Sequence, residues 1–526
     1  MLRCLISLAL CAGGAWAQPA PTALERVDDY KGWGWESWVM SNGLVTVATV
    51  PEIGARIMQY DLGEHASIFV NPDETGKLYT PSGNSPWHNY GGYKTWPAPQ
   101  AEWGWPPPPN LDFGVYEAEV VADTPDSVSI FVRSPVERWK TPDIRFERRT
   151  TLYPGTSRVR VEQTVVNEAA TPQPWSVWDV TQNIVNHPGE RDFSNFRVYF
   201  PINPNSVYGE TGVRPTASSP AWLGEVAPGI YGVQFLPENK KIFADSHRGW
   251  ICYTDERDGY TYAKTFDLFE GEPYPDEEAR VEVWINRDPL YLEVEVVSPI
   301  VELAADGGRY TFVEDWWATK LHGPVLDVNA AGAVAGRLRI EDSRLRGTYG
   351  VFHQGTVRLA YIDAGSDVLY RSPPQPVHPF ETLVLDQVPR DLPDVGPIVI
   401  QAEIYDSNGE WVGVLDRLEL DSPPTAVAGN GPAPSHFALG ASYPNPFNPQ
   451  VTIPFSLERA QAVELAVFDV SGARIRTLVN GARAAGPHLQ VWDGRDQRGN
   501  RVATGVYFYR LHTRTGQEAR SMLLLR

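Results

Sequence analysis

Apolar and polar residues alternate with a period of two in segment after segment, as in Arg158-Val159-Arg160-Val161-Glu162-Gln163-Thr164-Val165 and Ala279-Arg280-Val281-Glu282-Val283-Trp284-Ile285. Successive side chains of a strand point to opposite faces, so this period predicts half-buried β-strands. Spacing of the helical kind is scarce, and Gly, Pro, Asn and Asp punctuate the alternating runs. Such runs return along the chain to its end, which predicts antiparallel sandwiches and an all-β fold class rather than an α/β arrangement.

The first seventeen residues stand apart. Arg3 supplies a positive start, Leu5 to Cys11 an apolar stretch, and Ala15-Trp16-Ala17 a small-x-small cleavage site, so 1–17 reads as a secretory signal peptide. A lipoprotein reading needs a small residue before Cys11, and Leu10 stands there. No later stretch reaches about 18 apolar residues, so no transmembrane segment is expected after cleavage. Cleavage leaves Cys252 as the one cysteine, and each domain must then stand on its hydrophobic core without a disulfide. Cys252, inside Trp250-Ile251-Cys252-Tyr253, reads as a small buried hydrophobe rather than a nucleophile.

A length of 526 residues implies more than one domain. We divide the mature chain at 18–320, a Trp-rich unit, 321–421, 422–436 and 437–526. The second unit holds the strand Ile398-Val399-Ile400-Gln401-Ala402-Glu403-Ile404, a Ser407-Asn408-Gly409 turn and then Trp411-Val412-Gly413-Val414-Leu415. At about 100 residues this fits an immunoglobulin- or fibronectin-like β-sandwich. The 422–436 stretch, from Ser422-Pro423-Pro424 to Pro432-Ala433-Pro434, has linker composition. The 46 Pro and 45 Gly exceed ordinary usage and sort into sandwich turns, this linker and one Pro-rich loop. With 42% hydrophobic residues, wholesale disorder is excluded.

In the last unit Tyr443-Pro444-Asn445-Pro446-Phe447-Asn448-Pro449 precedes the strand Val451-Thr452-Ile453-Pro454-Phe455. Leu465-Ala466-Val467-Phe468-Asp469-Val470-Ser471-Gly472, Gly486-Pro487-His488, Trp492-Asp493-Gly494, Gly499-Asn500 and Thr504-Gly505-Val506-Tyr507-Phe508-Tyr509 follow. Locally these are strands joined by Gly-bearing turns, with Trp492 and Tyr507 as core anchors of a small Ig-like sandwich. The order of motifs resembles the C-terminal sorting domain of type IX secretion cargo, related to the Ig-like domain of flagellar hook-capping proteins. The resemblance implies export across both membranes of a Gram-negative envelope, with the type IX secretion machinery as partner. The product is then secreted or held at the cell surface. From Ala438 onward there are eleven Arg, no Lys and six acidic residues, a net +5, so the rest must carry -25 for the whole to reach -20. An acidic body of this kind excludes nucleic acid as a partner, because phosphate binding needs a cationic surface.

The densest cluster of unusual residues runs from Trp87-His88-Asn89-Tyr90 through Lys94-Thr95-Trp96-Pro97-Ala98-Pro99 to Trp103-Gly104-Trp105-Pro106-Pro107. Pro at this density predicts a loop and argues against a central strand. The indole rings either plug the fold or line a concave site, where sugar faces stack on them. With its flanks, this segment resembles an uncharacterised family of secreted bacterial proteins with the galactose-mutarotase-like β-supersandwich. The matching stretches include Ile53-Gly54-Ala55-Arg56-Ile57, Tyr90 to Pro99, Trp178-Asp179-Val180-Thr181-Gln182, Tyr291 to Pro299 and Glu314-Asp315-Trp316. The resemblance implies a carbohydrate ligand.

Mutarotation of an aldose needs a base for the anomeric hydroxyl proton and an acid for the ring oxygen, commonly a carboxylate and a histidine. His88, Glu270 and Glu295 are the catalytic candidates. Glu270 lies in a stretch similar to that of the mutarotase base, and it reads equally well as an exposed loop carboxylate. Glu295 sits on a strand where an inward charge needs a reason, a salt bridge to Arg56 or Lys94 being one. Arg56, Tyr90, Lys94, Trp96, Trp103, Trp105, Trp178 and Gln182 are the candidate substrate-binding residues. Mutarotases carry an Asn-His-x-x-Phe-Asn strand motif. The nearest text here, Asn186-His187-Pro188-Gly189-Glu190, puts Pro after His and predicts a turn. No phosphate-binding loop, dinucleotide fingerprint, nucleophile elbow or metal motif appears, so no cofactor or metal is expected. Two classes stand: a carbohydrate-active enzyme, epimerase or mutarotase first and polysaccharide lyase or hydrolase next, and a non-catalytic glycan-binding or structural surface module.

Overall fold

The computed structural model describes residues 19–525, apart from 188, 191, 217–221, 394, 424–436, 441, 443, 444, 446, 448, 449, 458, 471, 484, 485 and 515. The signal sequence and most of the linker expected above lie outside the described residues. The chain forms two compact units, Met1–Ala426 and Val427–Arg526. Both are built almost wholly of antiparallel strands, as the alternation predicts. Among the described residues, no helix is long and apolar enough to cross a membrane.

Up to Lys320, the first unit is an eleven-stranded sheet packed on a ten-stranded sheet. The middle of the larger sheet runs in the order Arg56–Leu62, Tyr93–Ala98, Gln173–Asn183, Leu290–Val297, Val281–Arg287 and Lys240–Ala244. Every second residue of these strands enters the core between the sheets: Val281, Val283 and Ile285 on one, Leu292, Val294 and Val296 on its neighbour. From the ten-stranded sheet, Trp316 meets Tyr93 and Tyr60 edge-on, with centroids 4.8 and 5.9 Å apart. Cys252 is fully buried, and burial pushes its thiol pKa up, away from nucleophile chemistry.

One expectation is corrected. The Pro-rich segment is not loop throughout, because Tyr93–Ala98 is an interior strand of the eleven-stranded sheet. It pairs along its whole length with Gln173–Asn183 but meets Arg56–Leu62 only at Tyr93–Ile57. The ladder on that second side is already open at Pro97, so the ring interrupts no pairing there.

A four-stranded and a five-stranded sheet between Asp327 and Leu420 enclose a second core around Tyr349, Leu359 and Ile400. It joins the first through Trp317, whose ring stacks on Phe352 with centroids 4.9 Å apart. In the carboxyl-terminal unit, a three-stranded and a four-stranded sheet close over Trp492 and Tyr507, edge to face at 5.2 Å.

Candidate functional site

The register of the larger sheet assembles a polar and aromatic face opposite the core. Lys94 lies beside Val180, Val180 beside Glu295, Glu295 beside Glu282, and Glu282 beside Phe243. Two residues along each strand, Trp96 pairs Trp178, Gln182 pairs Glu293, and Glu293 pairs Trp284, which is beside Lys241. Cross-strand partners project to the same side, so these residues share one surface.

Three clusters occupy it. In the first, Lys241 Nζ donates to Glu295 Oε2 at 3.0 Å, contacts Glu282 and lies 4.3 Å from the centre of the Trp178 ring. Trp178 Nε1–H donates to the same Glu295 oxygen at 2.6 Å. In the second, Glu293 Oε1 accepts from Lys94 Nζ at 3.0 Å and from Gln182 Nε2 at 2.9 Å. In the third, Arg56 donates to Asp112 at 2.6 Å and to the Gly91 carbonyl at 2.9 Å, while Trp96 Nε1–H donates to the same Asp112 oxygen at 2.9 Å.

Burial sets the protonation of the first cluster. It pushes the Glu282 carboxyl up to about 8 despite the attraction of Lys241, and the Glu295 charge adds to the shift. Burial also raises Glu295, again against Lys241. Burial alone would lower the Lys241 ammonium, but Glu282 and Glu295 outweigh it and hold its pKa above the ordinary value. Near neutrality, Glu282 therefore keeps its proton beside a charged lysine, and a proton donor stands next to a second carboxyl group. Burial lowers Lys94, with Glu293 opposing. Glu282 Oε1, Glu295 Oε1 and Gln182 Oε1 are buried acceptor atoms with no protein partner.

Of the residues singled out from the sequence, Lys94, Trp96, Trp178, Gln182 and Glu295 come together on this face. Arg56 is fully buried against Asp112, and Tyr90 is buried edge-on to Trp35 at 5.7 Å. Trp103 donates to the Pro97 carbonyl and packs on Trp96, whereas Trp105 is 56% exposed, edge-on to Trp87. His88 stacks on Tyr79 at 3.5 Å and meets Phe113 edge-on; burial lowers its pKa, and the charges acting on it are Glu74, Asp112 and Lys77. Glu270 is exposed in the loop after Tyr260–Phe266. No contact joins His88 to Glu270 or Glu295. The salt bridges foreseen for Glu295 are also redistributed: Arg56 pairs Asp112, Lys94 pairs Glu293, and Glu295 pairs Lys241.

Sequence reasoning missed Lys241, Glu282, Glu293 and Asp112. A signal for two of them existed in the alternation itself, since Glu282 and Glu293, like the predicted Glu295, occupy the polar positions of adjacent strands. On the core side of the same strands, Lys264 donates to Asp179 and to the Val294 carbonyl at 3.0 Å. Beside it, Glu314 accepts from Gln163 at 2.9 Å and from Trp316 at 3.1 Å. Asp179, Lys264 and Glu314 are all fully buried, and burial followed by the Glu314 charge drives Asp179 well above the usual carboxylate range.

No curated protein matches this sequence. Residues 449–517 match the family model of the FlgD Ig-like domain. Among solved structures, the chain is similar to a putative aldose 1-epimerase from Klebsiella pneumoniae, at 12% identity and a TM-score of 0.39 over 55% of this chain and 79% of that one. It is also similar to a galactose mutarotase-like protein from Clostridium acetobutylicum, at 12% identity and 0.35 over 58% and 99%. A TPR-domain containing protein from Parabacteroides distasonis shares 12% identity at 0.37, over 56% of this chain and only 49% of the other. Solved structures similar to this all-β chain thus include galactose mutarotase-like proteins, and the FlgD Ig-like match falls within its carboxyl-terminal unit.

Proposed function

We propose that the protein binds a carbohydrate on the face that carries Trp178, Trp284, Lys241 and Glu295. The observation that carries this reading is the juxtaposition of indole rings with acceptor oxygens of Glu282, Glu295 and Gln182 that have no protein partner. A sugar supplies the complement of both: an apolar C–H face for an indole, and hydroxyls that donate to buried acceptors. Such acceptors also reject a ligand that lacks the hydroxyls, because they would stay unpaired.

The chemistry this face suits is anomeric proton transfer, as in a mutarotase or epimerase. Glu295 takes the anomeric O–H proton, protonated Glu282 gives its own to the ring oxygen, and the C–O ring bond breaks to the open aldehyde. Closure on the other carbonyl face reverses both transfers. Here two carboxyl groups bridged by a lysine stand where a histidine–carboxylate pair was expected. A second reading, a non-catalytic glycan-binding module, is favoured by the packing of His88 away from the carboxyl groups. A glycan array probed with the full chain, then NMR of anomer exchange on each hit, separates them. Binding with exchange supports catalysis; binding without it leaves a lectin-like protein; no binding refutes both.

The carboxyl-terminal unit, in this account, is a type IX sorting domain, and the protein is secreted to, or displayed on, the surface of a Gram-negative cell. The FlgD Ig-like match over 449–517, the terminal motif order and the Arg-only basic composition support this assignment.

A further inference from the structure

Indole rings continue the face beyond its carboxyl groups. Trp178, whose N–H donates to Glu295, meets Trp96 edge-on with centroids 5.4 Å apart. Trp96 meets Trp105 in the same way at 6.3 Å, and Trp105 meets Trp87 at 5.1 Å. The four rings form one unbroken ridge. Chain order builds it: Trp87 precedes and Trp105 follows the strand Tyr93–Ala98, which carries Trp96. After that strand the backbone turns back, held by Trp103 Nε1–H on the Pro97 carbonyl at 2.8 Å, and lays Trp105 beside Trp96.

Exposure rises along the ridge. Trp178 and Trp96 are buried, Trp87 is half-buried, and Trp105 leaves more than half of its surface open. An open indole forgoes the burial that large apolar side chains ordinarily gain on folding, so its position asks for a second use. Trp96 stands between Trp105 and Trp178, so a single sugar seated on Trp178 leaves Trp105 uncovered. A second feature points to a ligand here. Trp87 Nε1–H is buried and has no acceptor in the protein, the counterpart of the unpaired oxygens of Glu282, Glu295 and Gln182 at the inner end. Hydroxyl groups both donate and accept, so a row of them matches both ends.

We infer that the carbohydrate is an oligosaccharide held by its reducing end, with its terminal sugar at Glu282 and Glu295 and the sugars that follow along Trp96, Trp105 and Trp87. This inference rests on the reading of the face as a site of anomeric proton transfer. That chemistry acts on a free anomeric hydroxyl, and in a glycan chain only the reducing-end sugar has one. The remaining sugars must then lead away from the carboxyl groups, and the ridge is their path. Recognition divides accordingly. The buried acceptors of the inner end select the sugar, because a wrong hydroxyl pattern leaves them unpaired. The open Trp105 ring stacks on any apolar sugar face, so it selects chain length.

The test is titration calorimetry of the full chain with the cello-, xylo-, galacto- and manno-oligosaccharide series, each from monomer to tetramer. In the series that binds, affinity rises at least about tenfold from monomer to tetramer. Trp105→Ala, a change at an exposed ring, brings that ratio to about unity with an unchanged circular dichroism spectrum, and Trp105→Tyr, which keeps an aromatic platform, restores most of it. Trp411→Ala, on the middle sandwich, keeps the wild-type ratio. Borohydride reduction of the tetramer, which opens its terminal ring, lowers its affinity at least about tenfold. A tetramer no tighter than its monomer, a Trp105→Ala protein with the wild-type ratio, or a reduced tetramer bound like the intact one would overturn the inference. Monomer binding that falls in Trp178→Ala would still uphold the sugar face in each of those cases. Silence across all four series would overturn both.

Discussion

Replacing Glu282 by Gln tests the electrostatics of the candidate site directly. The carboxyl group is 1% exposed, and its pKa rises from 4.5 to about 8 because burial outweighs the attraction of Lys241. With the folded pKa above the unfolded one, folding takes up a proton between these two values. The neutral acid's contribution is complete below about pH 4.5 and is lost as pH rises through about 8. One extra proton on the folded state is a slope of about 1.4 kcal/mol per pH unit, so the loss approaches about 5 kcal/mol by pH 8. Gln resembles the neutral acid in shape, so Glu282→Gln should match the wild type near pH 4.5 and gain on it steadily above. Burial raises Glu295 as well, so its own loss of stability with rising pH has the same sign and is present in both proteins. Urea unfolding of both proteins by Trp fluorescence, from pH 4.5 to 9, measures the difference. Parallel stability profiles across that range would refute the reasoning.

Two further outcomes follow from the same physics. Lys264→Met should destabilise the chain by about 3–5 kcal/mol, because it strands Asp179 beside Glu314, and adding Asp179→Asn should recover much of the loss in thermal unfolding. Removing 437–526 should leave the remainder in the periplasm of a type IX-competent cell, as fractionation and immunoblotting would show; unimpaired export would remove the sorting role.

The strands were legible because apolar residues recur at every second position, and a half-buried strand needs nothing more. The Tyr93–Ala98 strand was not, since Pro97 argues against an interior strand until the open ladder on its far side is seen. The site was half legible for a related reason. Glu282, Glu293 and Glu295 fall on the polar beat of their strands, and that beat ordinarily faces water. Here the opposite face is covered too, so the same residues become buried, paired and shifted. Lys241 escaped notice because its meeting with Glu282 and Glu295, 41 and 54 residues away in sequence, depends on register, which alternation alone does not specify. The pairing of His65 and His187 with Asp255 has no spacing signature at all, being made by one strand end and two loops far apart in sequence.

The central claim is that the Trp178–Lys241–Glu295 face holds a sugar, and titration calorimetry with an array-identified glycan tests it most directly. Trp178→Ala should weaken binding at least tenfold, about 1.4 kcal/mol, with an unchanged circular dichroism spectrum. Trp411→Ala, an indole 59% exposed on the middle sandwich, should leave the affinity unchanged. Binding that survives the loss of Trp178 but falls with Trp411 would contradict the account and move the glycan to another surface.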